Sequence, residues 1–297
     1  MQMPALSISK IQVTFEKSPN RILTRQQINE IIEQSIEDWQ VKKKKGSLTQ
    51  IPLESLGQNK ILKALIDKTD LQEVDLPFPS RKIKRYTWGN LKTYEIIQSV
   101  DTKGYFSHYT AMELHGLTEQ VPKTIYFNVE QPTTGGGGDL TQEGINRAFN
   151  ANSRVSNNII KFGDFRVCKL NGKNTHNLGV VNIQIDGQNI NVTDIERTLI
   201  DITVRPIYSG GIGEIAKAYL EAKNISIEKI VAYLHALNFT YPYHQAIGYY
   251  LERTGNYNDG ELEKLHSLPM PFKFYLNYQL KNPSYIEKWK LYVPKGF

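Results

Sequence analysis

At 297 residues the chain is longer than one small domain and fits two, and its 40% hydrophobic and 22% charged content excludes disordered and fibrous classes. The formal net charge of +6 is lopsided: residues 1–100 hold 16 Lys/Arg against 11 Asp/Glu, and the remaining chain 20 against 19. A single cysteine, Cys168, excludes an internal disulfide framework and a multi-cysteine metal site.

The charge split is the pattern of a polyanion-binding module joined to a neutral second part. No run approaches the roughly 18 apolar residues of a membrane span. Met1–Ser7 lacks the charged start and apolar run of a signal peptide. The expectation is a cytoplasmic protein without a membrane partner.

In chain order, Thr24 suits a helix N-cap, and Ile28, Ile31, Ile32, Ile36 and Trp39 form one stripe of a helix over about 25–39. Lys42, Lys43, Lys44 and Lys45 follow as a basic link, read either as a solvated loop or as an arm that contacts phosphates. Ile61, Leu62, Leu65 and Ile66 mark a second amphipathic helix over about 56–68. Residues 71–76 alternate as a strand, 77–80 turn, and 84–88 return as its partner, closed by Gly89.

Helix, helix, strand, turn and strand with basic residues at the turn is the layout of a winged helix-turn-helix. Its second helix would present Gln58, Asn59, Lys60 and Lys63, side chains able to bond base edges or phosphates. Its turn would carry Arg81, Lys82, Lys84 and Arg85 to the flanking backbone, where cations gain by releasing counterions. The competing reading is that these are ordinary solvated positions on a small α+β domain; layout and charge together favour DNA binding.

Beyond residue 90, a helical stretch over 91–100 links to a second part. Ser107 as N-cap and Gly116 as left-handed stop bracket a short helix, and 121–129 reads as a strand. Gly135–Gly138 lacks a following Lys-Ser/Thr, which makes it a loop and not a phosphate cradle. A helix over 141–149 precedes strands at 165–170, 179–185 and 189–192, the last two joined at Asp186-Gly187.

Thr193 and Glu196 fit a capping box for the next helix, with Arg197 and Asp201 one turn apart on its face. Helices follow over 214–223, over 227–237 capped by Ser226, and over 242–254 ended by Gly255. Strands at 272–278 and 289–293 close the chain. The fold class is therefore α+β: an N-terminal winged helix-turn-helix domain over 1–90 and a mixed α+β domain over 91–297.

Catalytic patterns are missing. Among His108, His115, His176, His235, His244 and His266 no His-Glu-x-x-His occurs, and neither a Gly-x-Ser-x-Gly elbow nor a strand-borne Gly-x-Gly-x-x-Gly is present. Cys168 sits in an alternating strand as a core residue. Asp194, Glu196 and Asp201 could serve as metal ligands of a nuclease or nucleotide-processing enzyme, but capping and the Arg197 partner account for them structurally. The chain is expected to be no enzyme and to need no metal or cofactor.

Several motifs together resemble the AbiEi-type antitoxins of type IV (abortive-infection) toxin–antitoxin systems. They are Phe106-Ser107-His108-Tyr109-Thr110-Ala111 with His115–Pro122, then Val192–Asp201, then Arg205-Pro206 with Gly210-Gly211, then Gly248–Glu252, and finally Trp289-Lys290-Leu291. The resemblance implies a winged helix that binds operator DNA and a second domain that neutralises a nucleotidyltransferase-like toxin; two copies on an inverted repeat would suit a winged-helix repressor. The chain shows no Gly-Ser followed by paired acidic residues, as such a transferase would need, so it resembles the antitoxin and not the toxin. One departure is a basic insert over 41–52 between the first helices. The alternative is a stand-alone winged-helix regulator whose second domain senses a ligand or self-associates.

Overall fold

The structure is a computed structural model, and it describes residues 8–43, 57–132, 139–185 and 187–297. It is an α+β protein that divides into two compact units, 1–100 and 101–297. The division falls after the helix read as a linker, so that helix belongs to the first unit.

The first unit runs α1 (Ile8–Glu16), β1 (Ile22–Leu23), α2 (Arg25–Lys43), α3 (Gln58–Lys68), β2 (Leu71–Phe78), β3 (Arg81–Trp88) and α4 (Thr93–Gln98). Its sheet has the order β1-β3-β2. Thr24 opens α2 as expected: its hydroxyl accepts from the Gln27 backbone N–H at 3.3 Å while the Gln27 side chain accepts from the Thr24 N–H at 2.8 Å. Helix α1 was not foreseen, although Ile8, Ile11 and Phe15 share one face. Ile11 and Phe15 are buried, and Phe15 stacks on Trp88 with centroids 5.2 Å apart. The core beneath α3 is Ile28, Ile32, Ile61, Leu65, Leu71 and Tyr86.

The hairpin is longer than its sequence reading. Pro77, which the sequence places in the turn, pairs with Lys82 inside the ladder, and only Pro79-Ser80 turn the chain. A proline is tolerated there because β2 is an edge strand, where a missing N–H faces solvent.

The second unit is built on a six-stranded mixed sheet of order β6-β7-β5-β4-β9-β8. Its strands are β4 (Tyr105–Phe106), β5 (Thr124–Gln131), β6 (Ile159–Phe162), β7 (Phe165–Lys173), β8 (Val180–Ile185) and β9 (Gln188–Thr193). Helix α5 (His108–Leu114) follows β4, and α6 (Gln142–Asn150) starts at Thr141, whose hydroxyl accepts from the Gly144 N–H. The glycine loop at 135–138 lies outside the described residues, as does Asp186 of the β8–β9 turn.

Helix α7 (Ile195–Val204) is the centre of the unit. It packs against α5 and against α8 (Ile212–Glu221), α9 (Ile227–Leu237) and α10 (Tyr243–Thr254), and eight consecutive residues, Glu196–Thr203, are buried. A capping box of Thr193 and Glu196 is not what starts it. Asp194 is the N-cap and accepts from the Arg197 N–H at 2.8 Å, because Thr193 is still paired in β9. Ser226 caps α9 and Gly255, at φ 69°, ends α10, both as expected. Helix α11 (Asp259–His266), with an Asn258/Glu261 capping box, precedes a small sheet of β10 (Phe274–Tyr275), β12 (Leu291–Val293) and β11 (Ser284–Ile286).

Distant motifs meet in this core. The His115 ring nitrogen Nε2 lies 2.6 Å from the Thr193 carbonyl oxygen, and Trp289 covers Gly248, where any Cβ would clash with the indole. Burial pushes the imidazoles of His108 and His244 down to about 4. Both rings stay neutral in the folded chain while the unfolded chain protonates them near 6.5, so stability is full above pH 6.5 and falls as pH drops toward 4. Urea titrations across that window are expected to show a slope of up to about 1.4 kcal/mol per pH unit for each histidine, reduced in His108→Gln.

Candidate nucleic-acid interface

Helix α3 is amphipathic by spacing: Ile61, Leu62 and Leu65 face the core, which turns Asn59, Lys60, Lys63 and Asp67 to solvent. Neither Lys60 nor Lys63 meets a hydrogen-bond or ion-pair partner among the described residues. Asn59 is exposed, but its side-chain oxygen accepts from Arg25 Nη2 at 2.7 Å. Gln58 is half-buried and donates to Glu33 of α2 at 2.5 Å, which ties it to the unit instead of freeing it for a base edge.

The Arg25–Asn59 contact adds a cation that the sequence reading missed. Arg25 is 34 residues from Asn59 in sequence, and only the packing of α2 beside α3 brings its guanidinium to the start of the second helix.

At the hairpin, the four cations have different fates. Arg81 and Lys82 stand exposed beside the Pro79-Ser80 turn, without a partner among the described residues. Lys84 is opposite Asp75 in the ladder and pairs with it at 3.6 Å and, more closely, with Glu73. The hydrogen bond from Lys84 lowers the Glu73 carboxyl below its ordinary range. A two-residue turn is what sets Lys84 across from Asp75; a four-residue turn conceals that pairing.

Arg85 turns inward. Its guanidinium donates to the Ser99 carbonyl from Nε at 3.0 Å and Nη2 at 2.7 Å, to Val100 at 3.3 Å and, from Nη1, to Lys84 O at 2.9 Å. It clamps the end of α4 to the sheet. Arg85→Ala is therefore expected to cost the first unit about 1–3 kcal/mol in urea unfolding, with a larger effect on stability than on nucleic-acid affinity.

Lys42 and Lys43 belong to the last turn of α2, and nothing further is described of their side chains. Lys44 and Lys45 lie outside the described residues.

The carboxylates considered for metal chemistry do not converge. Asp194 and Glu196 share Lys229, at 3.1 and 2.9 Å, and Asp201 pairs with Arg197 at 2.9 Å. Burial opposes the charge of Glu196, but the Lys229 ammonium and the Ser226 N–H more than offset it and hold the carboxyl below its usual range. Among the described residues no group of three His, Cys, Asp or Glu side chains could hold a metal ion. Cys168 is buried in β7, and burial raises its thiol pKa, away from nucleophilic use. Among the described residues no helix is long and apolar enough to cross a membrane.

No protein-family model and no curated protein matches the chain.

Proposed function

We propose that the first unit is a winged helix-turn-helix that binds operator DNA, and that the chain is an antitoxin of a type IV abortive-infection system that represses its own operon and neutralises a nucleotidyltransferase-like toxin. The observation that carries the DNA half is a pair of free cationic surfaces in one small unit. Lys60 and Lys63 occupy the solvent face of α3, and Arg81 and Lys82 the tip of the hairpin. In the layout α1-β1-α2-α3-β2-β3, α3 would enter a major groove while the hairpin tip meets the adjoining phosphates. Lys84 and Arg85 have protein partners of their own and are not counted in this surface.

The antitoxin half rests on the motifs set out under Sequence analysis. Their residues serve packing: His115 against Thr193, Arg197 against Asp201, Gly248 against Trp289. Such contacts explain why these residue types would recur in a family without a reaction to perform.

If Arg25, Lys60, Lys63, Arg81 and Lys82 each neutralise one phosphate, log affinity for the upstream promoter falls against log salt with a slope of about −4 to −5 per bound chain. Gel-shift titration at several salt concentrations measures it. A missing retarded band at low salt, or salt-insensitive retardation, removes the DNA reading. Co-expression with the adjacent gene separates antitoxin from stand-alone regulator: rescue of growth supports the former, and a harmless neighbour the latter.

A further inference from the structure

The second unit contains a cavity of about 700 Å³ that the reading above leaves unused, with His108, Asn128, Arg154, Arg197, Arg205 and Tyr208 in its wall. Its size is that of a small-molecule site. Arg154, Lys173, Arg197 and Arg205 line it against a single carboxylate, Asp201. That carboxylate is already paired to Arg197, and the Lys173 ammonium is held by the carbonyls of Leu237 at 2.7 Å and Asn238 at 3.3 Å.

The guanidinium groups of Arg154 and Arg205 are left without a hydrogen bond or ion pair among the described residues. Arg205 is half-buried, and its place follows from the sequence. Pro206 disfavours helical backbone in the residue before it, so α7 ends and Arg205 takes φ −134° and ψ 70°. A partly desolvated guanidinium with no counter-charge is unfavourable until an anion arrives, and the planar fork of arginine suits two oxygens of one phosphate.

His108 supplies an independent sign. It is 8% exposed, yet its φ is 54°, a left-handed conformation that costs a non-glycine residue about 1–3 kcal/mol and is concentrated at ligand sites. Its Nδ1 lies 2.8 Å from Ser107 Oγ, and its Nε2 has no partner among the described residues. Tyr208 meets the imidazole edge-on at 5.5 Å. Asn128 donates from Nδ2 to the Tyr105 hydroxyl at 2.6 Å, leaving Oδ1 to accept. The backbone beside it carries Gly172, because any Cβ there would collide with the amide.

We propose that this cavity binds a phosphorylated nucleoside. The phosphate sits on Arg205 and Arg154, the base lies against Tyr208 and Phe239, and His108 Nε2 and Asn128 Oδ1 supply directed hydrogen bonds. The site stands independently of DNA binding, since it uses only second-unit residues.

The test is calorimetry and thermal melting of the full chain with ADP, GDP, CDP and UDP, compared with inorganic phosphate and adenosine. At least one nucleoside diphosphate is expected to bind and raise the melting temperature. Arg205→Ala and Arg154→Ala are expected to weaken that binding about tenfold or more each, with unliganded melting close to that of the parent. The site assignment is overturned if no diphosphate shifts the melting temperature at millimolar concentration, or if Arg205→Ala binds as tightly as the parent. Inorganic phosphate matching the best diphosphate would overturn the nucleoside assignment.

Discussion

Replacing Arg197 with methionine is expected to destabilise the second unit by about 3–5 kcal/mol, measured by urea unfolding. The Arg197 side chain is 6% exposed and that of Asp201 11%, and Nε donates to Oδ1 at 2.9 Å. Burial disfavours the guanidinium charge, but the Asp201 carboxylate more than compensates and raises the Arg197 pKa. Nη1 also donates to the Leu178 carbonyl at 2.7 Å. Methionine fills similar volume while leaving a buried carboxylate and a backbone carbonyl without their donor, so the loss is that of an uncompensated charge and not of packing. The double variant Arg197→Met/Asp201→Leu is expected to recover part of it, because two apolar groups remove the desolvation problem that one creates. A loss in the single variant below about 1 kcal/mol would mean that water reaches the pair and that it behaves like a surface bridge.

What the sequence disclosed, and what it hid, follows from the range of each interaction. Caps are local: Thr24, Thr141, Ser226 and Gly255 do what their positions imply, because the groups they bond lie within a turn. The start of α7 is off by one residue because Thr193 and Asp194 are both good caps, and only the pairing of β9, a tertiary fact, selects between them. Short strands such as β4 leave no periodicity to read, since two residues have no alternation.

The candidate interface divides along the same line. Lys60 and Lys63 are exposed because helical spacing opposes them to Ile61 and Leu65, which the sequence displays. The inward turn of Arg85 toward Ser99, the pairing of Lys84 with Asp75 and the arrival of Arg25 at Asn59 are contacts between elements, and basic composition cannot distinguish a cation facing solvent from one holding a carbonyl. The cavity was still less legible. Its guanidinium groups come from a loop before β6, from α7 and from the α7 terminus, and no spacing rule connects residues 154, 197 and 205.

Reversing Lys60, Lys63, Arg81 and Lys82 to glutamate together is expected to lower promoter affinity by about a hundred- to a thousandfold at near-physiological salt, and to flatten the salt slope by about 3–4. Each side chain is exposed and engages no other described residue, so each replacement removes one released counterion and places a carboxylate against the phosphates. Folding is expected to change little, because exposed substitutions without partners stay within about 0.5 kcal/mol each. That separates this set from Arg85, whose loss would weaken binding only through an unfolded first unit. Urea unfolding, gel shift and growth rescue measured on the same variant then assign the two activities to their units. Lost promoter binding with retained rescue places neutralisation after residue 100, where the first unit ends. Lost rescue at unchanged promoter occupancy would mean that these cations meet the toxin pathway and not DNA, and the operator-binding role of α3 would fall.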